Sequence, residues 1–298
     1  MINKKFVRAF KNLLQKHTVF EIIGHTRPDL DCWAGAVAMT FFLRSFNKKV
    51  VLKCSTPSGY NLKYNPKVAS TKSSPEVCIS LDCASKERLE RPVEAKILIN
   101  IDHHKSNTYF GDLNLIVSEM SSTCELLYWL FKEVERSEIW RSSRLDYFIC
   151  LGILSDTNVL QTYSVSSSTF LALSDLSKKI SIFDIVYDLT KKSNFDSFKK
   201  ILSAGLKVNK GIVFFPPEKS EFKWLNDFVK FFTDFSWVIS ATLSSPGEWR
   251  CSARSVDKMV DLDRICGKLG GGGHKGAAAF IFRGSKAALI KEIGRHFP

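Results

Sequence analysis

Ile99-Asn100-Ile101-Asp102-His103-His104-Lys105 is an apolar run that ends abruptly in an acid and two adjacent imidazoles. Strands of parallel sheets are buried on both faces and read as continuous apolar runs, and open α/β sheets take their ligands just beyond the carboxyl ends of the strands. The stretch therefore predicts a strand that delivers Asp102, His103 and His104 to a ligand or metal site. Taken alone, an Asp-His-His turn is equally well a solvated surface turn.

Three further apolar runs end in the same kind of chemistry. Phe20–Ile23 leads into His25-Thr26-Arg27-Pro28-Asp29-Leu30-Asp31, where Pro28 biases Arg27 toward an extended backbone and puts two carboxylates in a tight loop. Val77–Leu81 leads into Asp82, and Phe148–Leu154 into Ser155-Asp156-Thr157. Convergence of the four ends brings His25, His103 and His104 together with Asp29, Asp31, Asp82, Asp102 and Asp156. Five carboxylates at short range raise one another's pKa and cannot all stay ionised without a counter-charge. A pair of divalent cations is the economical one.

With these residues in view, the chain resembles the DHH phosphoesterases, in the DHH/DHHA1 branch and most nearly its nano-RNase/pAp phosphatase group. The resemblance rests on His-x-x-Pro-Asp-x-Asp at 25–31, the strand-end Asp82, Asp-His-His at 102–104, Asp156-Thr157, and Gly-Gly-Gly-Gly-His at 270–274, in that order. It implies that His25, Asp29 and Asp82 hold one metal and that Asp31, Asp82, His103 and Asp156 hold the other, with Asp82 bridging. It further implies that His104 faces the scissile phosphate and that Asp102 ligates weakly or orients a neighbouring histidine. Mixed imidazole and carboxylate donors favour manganese over magnesium. Cys32 and Cys83 adjoin ligands and are expected to point elsewhere.

The fold class expected is α/β: an N-terminal DHH domain with a largely parallel sheet (1–185), a linker (186–207) and a smaller α+β DHHA1 domain (208–298). Strands are read near 19–24, 49–53, 77–81 and 96–101, with helices near 31–45 and 122–135. Beyond Lys191-Lys192-Ser193-Asn194, the reading is strand 211–215, helix 221–232, strands 236–243 and 248–254, helix 261–269, strand 277–282 and helix 285–296. Phe6, Phe10, Leu13 and Leu14 recur at helical spacing and predict a first amphipathic helix.

In the second domain Gly270-Gly271-Gly272-Gly273-His274 follows a helix, and such a run allows close backbone approach with amides turned to an anion. By resemblance, Arg254 and Ser255, with Gly271, Gly272, Gly273 and His274, hold a terminal phosphate. A guanidinium suits that role because it binds phosphate bidentately. Tyr60, Tyr163 and Trp249 are aromatic candidates for stacking on a base.

Composition agrees. The 298 residues are 45% apolar and carry a net charge of +13. Residues 191–298 hold 19 Lys+Arg against 10 Asp+Glu, so +9 of that excess falls on the second domain, which suits a phosphate ligand. The longest apolar run, Ala34–Leu43, is about half a membrane span, and the basic N-terminus lacks the apolar core and cleavage site of a secretory signal. Eight scattered cysteines without a Cys-x-x-Cys pair read as reduced thiols, and the expected location is cytoplasmic.

Two positions depart from the family pattern: Ala34-Gly35 stands where a Gly-Ser pair is frequent, and Asn158 where a glycine is frequent. Asn is the residue other than glycine that best tolerates positive φ. The activity implied is hydrolysis of short RNA oligonucleotides to mononucleotides, with removal of the 3′-phosphate of pAp as a second reaction; the partners are such oligonucleotides or small phosphorylated nucleotides. A homodimer is compatible with that reading. A cyclic-di-AMP or linear dinucleotide phosphodiesterase with the same metals is the nearest alternative, and a nucleotide sensor without turnover is the reading from another class.

Overall fold

The structure is a computed structural model, and it describes residues 2–57, 74–190, 204–216, 234–257 and 259–298. The chain divides into two compact units, Met1–Leu189 and Thr190–Pro298. The expected linker overlaps a helix that continues to Thr190. Its stretch 191–203 lies outside the described residues, as do helix 221–232 and Tyr60.

The first unit opens with α1 (Lys4–Lys16), capped by Asn3 and anchored through Phe6, Phe10 and Leu14. β1 (Val19–Ile23) is followed by α2 (Leu30–Ser45), β2 (Lys49–Lys53), β3 (Val77–Leu81), β4 (Ile97–Asp102) and β5 (Leu113–Ile116). These strands form one sheet in the order β2-β1-β3-β4-β5, every pair parallel. β1 and β3 are buried along their whole length, which is why they read as mainly apolar runs, interrupted by the buried Glu21 and Ser80. β2 and β5, at the edges, are partly exposed.

The direction of strand order reverses between β1 and β3, so the crevice beyond their carboxyl ends lies where open α/β sheets bind ligands. α3 (Thr123–Val134) packs on β4 and on α2, α4 (Ser143–Asp156) packs on α2 and α3, and α5 (Ser167–Leu176) packs on α3 and α4, with α6 (Ile182–Thr190) following. α2 is buried almost all round, from Leu30 to Leu43, with Trp33 edge-on to Phe148 of α4 and Phe42 stacked on Phe131 of α3 at 4.0 Å between ring centres.

The run Phe148–Leu154, grouped in the sequence with the strand ends, is the interior of α4. Asp156 is therefore the last residue of a helix. It is followed by a turn in which Asn158, Val159 and Leu160 all have positive φ, 46°, 54° and 65°. Asn158 thus occupies the left-handed region that its position relative to the family's glycine suggested. Arg27 is also left-handed, at φ 56°, and not extended. The chain must reverse between β1 and α2 within a few residues, and Thr26 N is tied to Arg88 O at 2.7 Å as it does so.

The second unit is a six-stranded sheet in the order β10-β11-β9-β8-β7-β6, from β6 (Leu206–Val208), β7 (Gly211–Phe214), β8 (Trp237–Ser245), β9 (Glu248–Ser255), β10 (Gly272–His274) and β11 (Ala277–Arg283). Among the described residues, only the β7–β8 pair is parallel. α7 (Leu262–Lys268) and α8 (Lys286–His296) cover a core that includes Trp237, Ile239, Leu262, Cys266, Leu289 and Ile293. The whole is α/β followed by α+β. All eight cysteines are free thiols, and no helix among the described residues is long and apolar enough to cross a membrane.

Candidate metal centre and phosphate-binding face

Five separate segments of the first unit supply the site: the residues after β1, the first turn of α2, the residue after β3, the end of β4 with its following turn, and the end of α4. Asp82 stands at the centre. His25 Nε2, His103 Nε2 and His104 Nδ1 each lie 3.7 Å from one of its carboxylate oxygens. His103 Nε2 is also 3.4 Å from Asp156 Oδ2. Three sets of donor atoms lie within 4.8 Å of one another: His25, Cys32 and Asp82; Asp82, His103 and His104; and Asp31, His103 and Asp156.

Each imidazole is fixed through its Nδ1. His25 Nδ1 is 2.9 Å from Thr26 O, His103 Nδ1 3.2 Å from Met120 O, and His104 Nδ1 2.7 Å from Asp102 Oδ1. Donation from Nδ1 leaves Nε2 with its lone pair, the arrangement used by metal-binding histidines whose second nitrogen is held by a carbonyl or carboxylate. The carboxylates are held as firmly. Asp31, in the first turn of α2, accepts from Thr123 N at 2.7 Å and Cys124 N at 3.0 Å, the amides that open α3. The positive end of a helix thus faces a buried acid. Thr123 Oγ1 donates to Asp82 Oδ1 at 2.8 Å. Asp82 itself has φ 56°, a strained backbone for a non-glycine residue and one found mainly where function demands it.

Burial dominates the electrostatics. It raises the pKa of Asp31 well above the carboxylate range, with Asp82 and Asp156 adding to the rise. Burial also raises Asp82, with Asp29 as its chief electrostatic neighbour, and lifts Asp156 to about 7 despite the nearby His103. Burial alone would depress His103, but Asp156, Asp82 and Asp31 outweigh it and bring the imidazole up to about 9. His25 reaches about 9 in the same way, burial being outweighed by Cys32, Thr26 O and Asp82. These groups share too few positive charges for their number, and the donor set of carboxylate oxygens and free imidazole nitrogens fits divalent cations.

Not every expected ligand joins the cluster. Asp29 is exposed and caps α2, accepting from Cys32 N at 3.1 Å; it belongs to none of the three donor sets. Cys32, expected to point elsewhere, joins His25 and Asp82 instead. The helical turn that begins at Asp29 brings the side chain three residues on back toward β3, where Cys32 Sγ lies 3.5 Å from Leu81 O. Cys83 does turn away, donating to Ser85 O. Asp102 is fully buried and spent on other protein groups: the amides of His103 and His104, the His104 ring, and Asn107 Nδ2 at 2.6 Å. It positions His104 and stands behind the cluster.

Asn107 was missed in the sequence. It bridges Asp102 to Cys83 O and takes donors from Asn100 and Tyr109 N, locking the turn after β4. An Asn a few residues beyond Asp-His-His carries no distinctive signal. Thr123 was also missed, because its role depends on where α3 begins in space.

In the second unit, the strand register sets Arg254 of β9 opposite Ala277 of β11, and Ala277 opposite His274 of β10. Paired residues share a sheet face. Arg254 and His274 therefore flank the small Ala277 on one face, two strand spacings or roughly 10 Å apart. Arg254 donates to Ser252 Oγ and Ala253 O, and Ser255 Oγ donates to Asp257 O.

The glycine run does other work than an open amide cradle. Gly270, at φ 75°, ends α7: its N–H reaches Gly267 O and that of Gly271 reaches Cys266 O, the two bonds of a Schellman cap. Gly273 N donates to Asp263 Oδ1 at 3.0 Å. A Cβ at Gly271 would stand 2.1 Å from Ala279 O, and one at Gly273 2.5 Å from Ala277 O. Much of the run is thus required by the helix end and by the close approach of β10 to β11.

Residues 20–153 match the DHH family, N-terminal domain. The chain carries a DHH-family N-terminal domain. Over 94% of its length it is 22% identical to protein MG371 of Mycoplasma genitalium, covering 91% of that protein. It is 29% identical to the probable bifunctional oligoribonuclease and PAP phosphatase NrnA of Streptococcus mutans over 184 residues, 57% of this chain and 56% of the relative. Among solved structures, an exopolyphosphatase-related protein from Bacteroides fragilis superposes with a TM-score of 0.86 at 19% identity, covering 99% of this chain and 96% of the other. RecJ from Thermus thermophilus, solved in complex with Mn2+, gives 0.58 at 13% identity over 99% of this chain and 55% of its own. At these identities, the two structures speak to fold.

Proposed function

We propose that this DHH phosphoesterase hydrolyses short oligoribonucleotides to mononucleotides and also removes the 3′-phosphate of pAp. The observation that carries the reading is the gathering of Asp31, Asp82, His103, His104 and Asp156 at one end of the parallel sheet, with every imidazole Nδ1 already engaged. The likeness to the Streptococcus mutans protein supports the substrate class.

His25 and Asp82 would hold one cation, and Asp31, Asp82, His103 and Asp156 the other, with manganese preferred; Asp29 is the remaining carboxylate of the first position. Such a pair, when bound, activates water and stabilises charge on the attacking and leaving oxygens. The protein's own groups do the rest. His104 presents Nε2 to the scissile phosphate and donates a proton to the leaving oxygen as the P–O bond breaks. Burial tends to keep His104 neutral, but Asp102 and Asp82 raise its pKa and favour the protonated donor. In the second unit, Arg254 and His274 would hold a phosphate group, with Ser255 and the backbone surface of Gly271, Gly272 and Gly273 beside them.

The test is hydrolysis, with and without Mn2+, of a 5′-phosphorylated diribonucleotide, pAp, cyclic-di-AMP and pyrophosphate in parallel. Turnover of the first two is expected. Turnover of cyclic-di-AMP alone would replace this reading by the cyclic-dinucleotide one, and tight nucleotide binding without any turnover would make the protein a sensor.

A further inference from the structure

The metal position built on His25 and Asp82 has a neighbour that the phosphoesterase reading leaves unused. Cys32 Sγ lies within 4.8 Å of the donor atoms of both residues, and all three are buried. His25 is 6% exposed, and its Nδ1 is committed to Thr26 O, so Nε2 is the nitrogen that faces the group. Asp29, the acid that the family resemblance suggested for this position, is exposed and caps the helix through the Cys32 amide. The residue before His25 is shaped to the same purpose. A Cβ at Gly24 would stand 2.7 Å from Cys32 Sγ and 2.7 Å from Cys54 Sγ. The missing side chain is what lets sulfur fill this side of the site.

We propose that Cys32 is a protein ligand of the cation held by His25 and Asp82, and that it makes this position selective for a thiophilic divalent cation such as Zn2+ or Co2+ over Mg2+. The inference rests on the reading of His25 and Asp82 as a metal position. Hard oxygen donors alone suit magnesium and manganese, whereas one thiolate with one imidazole and one carboxylate is a donor set that zinc and cobalt favour. Binding replaces the S–H proton of Cys32, now donated weakly to Leu81 O at 3.5 Å, and the proton leaves to solvent. Cys54, half-exposed beyond the end of β2, also borders Gly24 without belonging to the donor set.

The experiment uses the full chain, stripped with chelator and titrated with Co2+ without substrate, followed by absorption spectroscopy. Visible d–d bands report that cobalt has bound, and a near-ultraviolet sulfur-to-cobalt charge-transfer band reports thiolate coordination. The expected result is both signals in the wild-type protein, retention of both in Cys54→Ser, and loss of the charge-transfer band with retention of d–d bands in Cys32→Ser. Saturation with d–d bands but no charge-transfer band would overturn the assignment of Cys32 and leave the metal reading standing. Absence of cobalt binding would overturn both. A charge-transfer band that survives in Cys32→Ser, or vanishes in Cys54→Ser, would also overturn the assignment. A measurement on unmutated protein keeps the test independent of folding: zinc X-ray absorption is expected to show a sulfur neighbour at about 2.3 Å, and a shell of nitrogen and oxygen alone would refute it.

Discussion

Asp102 Oδ1 lies 2.7 Å from His104 Nδ1, and the same oxygen accepts the amides of His103 and His104. One buried carboxylate thus sets the backbone of the turn after β4 and the orientation of the imidazole at its tip. Asp102→Asn keeps the size of the group and removes its charge. The expected effect is a fall in kcat of about 10- to 100-fold, as for other carboxylates that orient a site histidine. The pKa that governs the acid in the pH–rate profile should move down, because the chief group raising it has lost its charge. Steady-state kinetics across pH, with circular dichroism as a check on folding, measures both.

Stability of the metal-free protein should fall as pH rises. Asp156 at about 7, and Asp31 and Asp82, also raised, bind protons more tightly in the folded chain than at the ordinary carboxylate value of 3.8. His25 and His103, at about 9 against an ordinary 6.5, do the same. A folded state that holds more protons than the unfolded state loses stability with increasing pH. The window runs from about pH 4 to about pH 9, and the stabilising contribution is complete only below it. Thermal melts of chelated protein should show a declining Tm across this range, and saturating Mn2+ should flatten the decline, since a ligand that binds only the folded state stabilises it. A Tm that climbs with pH in the chelated protein would contradict the assignment of these groups as a crowded buried set.

Gly152 in α4 is a packing requirement of the site. A Cβ there would stand 2.1 Å from Cys124 Sγ and 2.7 Å from Asp31 Oδ1. Gly152→Ala should cost about 1–3 kcal/mol, the range for overpacking a filled core, and should weaken divalent-cation binding by displacing Asp31. Denaturant titration and calorimetric metal titration read the two effects separately.

Arg254→Ala and Asp82→Ala should separate capture from chemistry. Loss of a charged hydrogen-bond donor to phosphate is worth about 1.5–3 kcal/mol, so Arg254→Ala is expected to raise KM roughly 10- to 100-fold with little change in kcat. Asp82→Ala, which removes the carboxylate shared by all three imidazoles, should abolish turnover while the chain still folds. Similar kinetic defects in the two variants would refute this division.

Much of this site was legible because parallel strands announce themselves. β1, β3 and β4 are mostly apolar and buried almost throughout, and their carboxyl ends lead into His25, Asp82 and the Asp102–His104 turn. Side-chain choice within α2 was less legible. Asp29, Asp31 and Cys32 are near neighbours in sequence, and only the start of the helix decides which turn inward and which caps the end. The glycine run was legible as a special backbone but not as to its cause. A Schellman cap and a tight strand pair demand the same residue as an anion cradle, and the partner carbonyls of Cys266, Ala277 and Ala279 are not apparent from the letters alone. The short strand β10 hides in that run for the same reason.

Helix α2 is a rod gripped along nearly all its length, with Asp31 and Cys32 at its leading end and the Phe42–Phe131 stack near its tail. Close-packed interiors transmit displacement rather than absorb it. A slip caused by altered volume at Met39 or Phe42, two or three turns away, therefore arrives at the acid and the thiol as a change of aim. Selection for restored activity after such damage should return compensating changes on the faces of α3 and α4 that clasp this rod, far from any residue that meets phosphate.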